Sequence, residues 1–520
     1  MKSKVLIIGT GLAAAGCARF FVERGKVPIV FDVGERLAED TAKKAQDLAS
    51  ISPSDWPSDV ESFFSSNTHT GLTNIPTKKI FGSSFFYGKS RKGAIAVSEG
   101  RAPPFSYAMG GLSVGWGASV LPPAEDDILT WPIDYSDLHA CYDNVSKNLP
   151  LNAEVDSLNE LFPLPSDYLS SGLEMPVIEK SFLERLKRVN VQNMHIGRAR
   201  NMVRKTCKMC GHCMGGCVYG AIYSSKDEFD EWANNGKIEL YTNRLVTHFS
   251  DTEKGVLIHF VEGSAQKADL FDYVFIGAGA VNSSRIYLNS NDKLPGRSLT
   301  IKSRGGFVVP VFSFKRVRDI SESKQSLPSF FIETKDPFSG YWVHTQVSIG
   351  NELLEKRLSR LLGRSVFGKA ISELVLSRLF ILFVNFHSDL GGEYQLHLRA
   401  GNIPTDSQLH TKYMKPKIFW KTLWHVIKKM TLLFVRAGCV PIWAFLRFNS
   451  GTYHVGCSLP MKKSPAEFAE TNPAGQTSLS KKVSFIDSSA MPSLPGTSIG
   501  MLSMANAYRI TKMVFDNDKI

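Results

Sequence analysis

The sequence predicts an α/β fold of Rossmann type, and two stretches near its start carry that expectation. "VLIIGTGLAAAGCARFF" reads as a β-branched strand, a glycine turn and a helix of small residues. "VPIVFD" reads as the next strand and ends in Asp32, 21 residues beyond Gly11. The chain has 520 residues, 43% hydrophobic and 21% charged, which is the balance of a folded soluble protein with room for two or three domains. No fixed-period repeat or low-complexity tract is visible, so a solenoid or a disordered scaffold is not expected.

The glycines of the first turn read G-x-G-x-x-A, at Gly9, Gly11 and Ala14. Gly9 permits the tight turn, Gly11 lets the backbone approach a pyrophosphate, and Ala14 is small enough for the helix to pack on the strand. Asp32 then offers a carboxylate to ribose hydroxyls. The basic start and small residues before Cys17 are similar to a lipoprotein signal, but Gly9 and Gly11 interrupt the apolar run. A first strand is the better reading. No apolar run approaches the ~18 residues of a membrane span, and a cytoplasmic protein is expected, with a peripheral place at the inner face of a membrane as a variant. After a Ser/Pro-rich region near residues 50–80 comes "SYAMGGLSVGWGAS". Its Gly110, Gly111, Ser113, Trp116, Gly117 and Ala118 suit a backbone pressed against a flat ring system, or else form a glycine-rich surface loop.

Cys207, Cys210, Cys213 and Cys217 fall within eleven residues, spaced C-x2-C-x2-C-x3-C. That is the spacing of bacterial iron–sulfur ferredoxins, although Val218 stands where those have Pro. Four thiolates could surround a 4Fe–4S cluster, or three a 3Fe–4S cluster. Zinc is the alternative, with His212 available in place of one thiolate, and unliganded redox thiols are a third reading. The other four cysteines lie far apart, as reduced intracellular thiols often do.

Along most of the chain the motifs resemble the glucose–methanol–choline flavoprotein oxidoreductases. The resemblance rests on the N-terminal fingerprint, "GGLSVGWGA", "WPIDYSDLHACYD", "DYVFIGAGAVNSSRIYLNS" and the closing "VSFIDSSAMPSLPGTSIGMLSMANAYRI". It implies a discontinuous Rossmann-like FAD-binding domain with an inserted α+β substrate domain. The expected divisions are residues 1–299 with the cysteine loop 207–223, a substrate domain 300–440, and a return 441–520 that carries the catalytic segment. It also implies bound FAD, held with the help of Val246, Gly277, Ala278 and Asp487, and oxidation of a CH–OH group.

Hydride leaves an alcohol carbon readily only when the hydroxyl proton is removed as well, so a base must reach that oxygen. The resemblance puts His454, in "GTYHVGCSLPM", in this role. The family's usual second His or Asn corresponds, counted without gaps from Asp487, to Ser498 beside Thr497. A hydroxyl can orient a substrate but cannot titrate near neutral pH. Some dehydrogenase members resemble "CMGGCVYGAIY" and carry a cluster there, which implies electrons passing from flavin through a cluster to a protein or quinone acceptor. The expected substrate is an alcohol or sugar, including a polysaccharide or lipid-linked precursor. Rival readings are a flavin-dependent isomerase or epimerase with no net redox change, and a non-catalytic flavin and zinc binding protein.

The net charge of +12 favours anionic partners, but no recognition motif accompanies it, so nucleic acid is not expected. Residues 353–386 and "KPKIFWKTLWHVIKKMTLLFVRAG" show apolar residues at helical spacing among Lys and Arg, with Trp420 and Trp424 beside Lys417, Lys421, Lys428 and Lys429. Ordinary packing under a basic face, contact with a membrane surface, and a protein partner are all consistent with that pattern.

Overall fold

A computed structural model of the protein describes residues 3–64, 78–88, 95–99, 102–147, 149–165, 168, 173–291, 295–320, 325–349, 366–399, 401, 407–416, 419–448 and 453–518. The strand Val5–Ile8 lies at the centre of a six-stranded sheet, parallel to Ile29–Phe31 on one side and Tyr273–Ile276 on the other. Glu239–Tyr241 and Ser480–Phe485 extend the parallel set at either edge, and Gln476–Thr477 turns back antiparallel. Val5–Ile8 and Tyr273–Ile276 are buried at every position, as strands covered on both faces must be. Val5 and Ile7 point into a core shared with the helices Leu12–Val22 and Gly500–Asp518. Leu6 and Ile8 point the other way, towards the helix Ala280–Ser290 and an antiparallel meander of Arg244–Thr252, Gly255–Glu262 and Ala265–Phe271. The α/β expectation is met, and residues far apart in the chain complete one sheet.

A seven-stranded antiparallel sheet forms the second layer. It runs from Met194–Arg198 through Phe330–Lys335, Trp342–Ser348 and Leu379–Asn385 to Gly306–Ser313, which is flanked by Cys439–Pro441 and Arg447–Phe448. The helices Val177–Lys187 and Trp420–Arg436 bury one stripe each in its core. Between the layers, Ile95–Glu99, Gln408–Met414, Glu393–Arg399, Ser298–Ser303 and Val455–Gly456 make a five-stranded sheet. Its last strand begins one residue after His454.

Helical spacing over 353–386 holds only in part. Val366–Leu376 is helical, Leu379–Asn385 is a central strand, and 351–365 lie outside the described residues, as does Lys417. In "LFILFVN" Phe380, Leu382 and Val384 are the buried set, a period of two that aromatic and β-branched residues favour. Among the described residues no helix is long and apolar enough to cross a membrane.

The two helices under the parallel sheet meet backbone to backbone at Gly16, where a Cβ would stand 2.1 Å from the carbonyl oxygen of Met504. Gly16→Ala therefore sets a helix-propensity gain of about 1 kcal/mol against a clash that must part the helices. The clash is the larger effect, and urea unfolding is expected to show a net loss of roughly 2–3 kcal/mol.

Candidate active site

Gly9 adopts φ +104, and a Cβ there would lie 2.5 Å from the carbonyl oxygen of Gly277, so the two glycine turns touch through their backbones. Gly11 opens the helix Leu12–Val22 with nothing within 4 Å of where its Cβ would be, leaving the helix N-terminus facing open space. Gly111 lies across from it, its own Cβ position 3.3 Å from Gly11 Cα. The Thr10 hydroxyl ties the turn together by donating to Asp32 Oδ2 at 2.9 Å and accepting from the Gly110 N–H at 2.8 Å. Ser113 Oγ donates to the Gly110 carbonyl at 2.6 Å. Burial lifts the Asp32 carboxyl to about 7, against the hydrogen bonds from Thr10 and Gly34 that lower it. Gly9, Gly11, Ala14, Asp32, Gly110, Gly111, Ser113 and Gly277 thus gather into one cradle, open over Gly11 and Gly111. A helix N-terminus with bare glycine backbone beside a carboxylate is what a dinucleotide requires.

The remaining expected cofactor residues have other surroundings. Val246 packs in the core beyond the sheet, and its carbonyl accepts from the buried Arg285 guanidinium at 2.8 Å. Ala278 is half-buried, Ala118 fully buried, and Gly117 exposed. Trp116 donates its indole N–H to the Tyr223 carbonyl at 2.7 Å, and its ring lies where a Cβ on Gly500 would be. The Asp487 carboxylate accepts from Gly279 N–H (2.8 Å), Ser283 Oγ (2.5 Å) and Ser489 N–H (2.8 Å), which ties the second glycine turn to the C-terminal segment.

His454 is joined to the C-terminal loop by Arg304. The Arg304 backbone N–H donates to the His454 carbonyl at 3.4 Å, and its buried guanidinium donates to the carbonyls of Gly496 and, at 2.6 Å, Thr497. Gly496 presses on the seven-stranded sheet, where a Cβ would come within 3.0 Å of the Trp342 and Asn385 carbonyls and 3.3 Å of the His344 N–H. Ser498 follows, buried, and the buried Thr497 hydroxyl has no hydrogen-bond partner among the described residues. Burial, then the charge of Arg304, pushes the His454 pKa far below the usual histidine value. Burial lowers Arg304 to about 9. His454 is therefore an uncharged imidazole at neutral pH, the form that accepts a proton.

Sequence reasoning missed the neighbour that this loop sits against. Glu333 and His344 face each other across adjacent strands, with Glu333 Oε1 2.6 Å from His344 Nδ1 and both side chains buried. The Gln346 amide nitrogen lies 3.2 Å from His344 Nε2, which makes that ring nitrogen the acceptor and Nδ1 the donor to Glu333. The available signal was an acid inside the apolar "SFFIET" and a histidine inside "YWVHTQVS", since such residues are rarely buried unless paired.

All four cysteines border one cavity whose other walls include Val203, Ala221, Ile222 and Leu327. Gln325 Nε2 donates to Cys207 Sγ at 3.3 Å, and the Ala221 N–H donates to Cys217 Sγ at 3.3 Å. Burial raises the Cys210 thiol to about 11 and Cys213 further, so thiolates here call for a compensating cation. His212 turns elsewhere, stacked on Phe64 with ring centroids 4.4 Å apart, and is not part of the cavity wall. Among the described residues no group of three or more Cys, His, Asp or Glu is placed so that it could hold a metal ion.

No protein-family model and no curated protein matches the sequence. In fold the chain is similar to pyridoxine 4-oxidase from Mesorbium loti, with a TM-score of 0.59 at 12% identity over 99% of each chain. It is also similar to a fungal aryl-alcohol oxidase, with a TM-score of 0.54 at 10% identity over 100% of this chain and 99% of that one. The mixed α/β architecture described above is the fold that the chain shares with these two structures.

Glu333→Ala removes the acceptor of the buried His344 Nδ1–H and is expected to cost about 2–4 kcal/mol in urea unfolding, while Glu333→Gln keeps an acceptor oxygen and costs less than half of that.

Proposed function

We propose that the protein is an FAD-dependent dehydrogenase that oxidises the CH–OH group of an alcohol or sugar and passes electrons through an iron–sulfur cluster. The observation that carries this is one connected arrangement. The open cradle at Gly11 and Gly111 runs through Trp116 and Gly500 to the Thr497–Ser498 loop, which Arg304 ties to His454. The two solved structures of like fold are named as oxidases of pyridoxine and of aryl alcohols, which supports an alcohol carbon as the reacting centre.

Bound FAD would accept a hydride from that carbon. The cradle residues would hold its pyrophosphate at the N-terminus of Leu12–Val22 and its ribose at Asp32. His454 takes the hydroxyl proton, and the Arg304 charge beside it favours the oxyanion over the protonated imidazole. The Thr497 and Ser498 hydroxyls orient the substrate oxygen. His344, held in one tautomer by Glu333, is the second imidazole at the site and stands in for the histidine or asparagine that Ser498 replaces. The seven-stranded sheet supplies this wall, in keeping with a substrate domain formed largely from residues 300–440.

The four cysteines fit a 4Fe–4S or 3Fe–4S cluster by donor type, by their shared cavity and by N–H···S bonds of the kind that tune cluster potentials. Such a cluster would supply a one-electron acceptor, and the Tyr223 carbonyl bonded to Trp116 ties the cysteine loop to the flavin cradle.

Protein purified without oxygen is expected to show flavin bands and about three or four irons with matching acid-labile sulfide. Cys210→Ser should lose the iron and keep the flavin. Stoichiometric zinc without sulfide would sink the electron path. On a panel of alcohols and sugars with a one-electron acceptor, His454→Ala should lower turnover by roughly 100-fold or more. An unshifted histidine would be half protonated near pH 6.5. Because the His454 pKa lies well below that, kcat/KM should stay level as pH falls past 6.5 and decline only at lower pH.

A further inference from the structure

The sixty residues 407–466 contain ten Lys and Arg and no Asp or Glu, so they hold most of the chain's net +12. The helix Trp420–Arg436 lies inside this stretch. It buries Leu423, Val426, Met430, Leu433 and Phe434 against the seven-stranded sheet. Its opposite stripe is not a plain polar face: Lys421, Trp424, Lys428, Leu432 and Val435 are exposed at i, i+3, i+4 spacing. Trp420 is 57% exposed, Trp424 63% and Val435 55%, although a solvated helix face has no use for them.

The apolar surface continues past the helix. Phe314, 68% exposed, donates its backbone N–H to the Gly438 carbonyl at 3.0 Å, and exposed Lys315 and Arg316 follow it. Val440 is exposed on the adjoining edge strand, paired with Phe312. Lys315, Arg316, Lys421, Lys428 and Arg436 form no ion pair among the described residues, so their charge is available to an outside partner.

We propose that this face docks the protein on an anionic lipid bilayer, with Trp420, Trp424, Leu432, Val435 and Phe314 entering the interface and the flanking Lys and Arg meeting lipid phosphates. Indole rings prefer the boundary between acyl chains and headgroups. Lysine stems lie along apolar surface while their ammonium groups reach phosphate. A stretch of 60 residues with ten cations and no acid is complementary to an anionic surface. Leucine and valine set among these cations add nothing to the grip on a nucleic acid, whereas they add area to a lipid contact.

The test uses the full-length protein and vesicles of phosphatidylcholine with or without phosphatidylglycerol. Cosedimentation with the anionic vesicles only, and quenching of Trp emission by brominated acyl chains, is the expected result. Trp420→Ser/Trp424→Ser should weaken binding by about tenfold and abolish the quenching. Lys421→Glu/Lys428→Glu should weaken it by tenfold or more. Unchanged unfolding midpoints would show that both variants are folded. No sedimentation with anionic vesicles at low salt overturns the proposal. So does binding to heparin or single-stranded DNA as tight as to vesicles and indifferent to the Trp substitutions, which would mean charge alone. A dimer in sedimentation equilibrium that the Trp variant abolishes also overturns it, in favour of a second copy of this chain.

Discussion

The arrangement at the candidate active site depends on one buried carboxylate. Asp487 leaves the parallel sheet just after Ser480–Phe485 and accepts hydrogen bonds from Gly279, Ser283 and Ser489. Burial pushes its pKa up and those bonds push it back. Burying an isolated carboxylate costs several kcal/mol even after relaxation, and three bonds to a charged acceptor return about 1.5–3 kcal/mol each. The pKa stays raised, so burial is the larger of the two effects, and the carboxylate contributes position rather than stability. The turn it caps holds the next piece in place: Ser488 Oγ donates to the Val455 carbonyl, while the Ser488 and Ser489 carbonyls accept from Cys457 and Leu459. Through these bonds one turn sets the helix Ala280–Ser290 and the strand that follows His454.

A second constraint is electrostatic. Arg304 is buried with its guanidinium on two carbonyls and, among the described residues, no carboxylate paired with it, and burial lowers its pKa to about 9. The cation beside His454 makes protonated imidazole unfavourable in the resting site. Under the proposed function the same charge would favour a developing oxyanion, so it would oppose proton uptake at rest and support the reaction as negative charge forms on the substrate oxygen. Glu333 offsets the adjoining His344 and leaves its other ring nitrogen as an acceptor to Gln346. The two histidines thus sit in unlike environments, which is how a pair of similar groups takes on different duties.

The parts of this site that local chemistry determines were legible in the sequence. A glycine turn between a strand and a small-residue helix, an acid at the end of the next strand, and four closely spaced cysteines each need only a few neighbouring residues to be recognised. Parts that arise from register were not. Glu333 and His344 are eleven positions apart and meet because a hairpin pairs them. Counting without gaps singled out Ser498, but not the buried Glu333–His344 pair of the seven-stranded sheet beside its loop. The apolar run at 379–385 is too short for its period to separate helix from strand, and pairing with Gly306–Ser313 and Trp342–Ser348 decided it. Nor did the sequence show that Asp487 would bind Gly279 and Ser283, 208 and 204 positions away, since parallel pairing of Tyr273–Ile276 with Ser480–Phe485 brings them together.

Trp116 links these pieces mechanically. Its indole N–H holds the Tyr223 carbonyl, six residues beyond the last cysteine, and its ring fills the space against Gly500 at the head of the C-terminal helix, beside Leu12. Three segments remote in sequence therefore share one side chain: the cysteine loop, the glycine cradle and the loop bearing Ser498. A bulky aromatic at such a junction has few rotamers that keep both contacts, so displacement of one segment is felt by the other two.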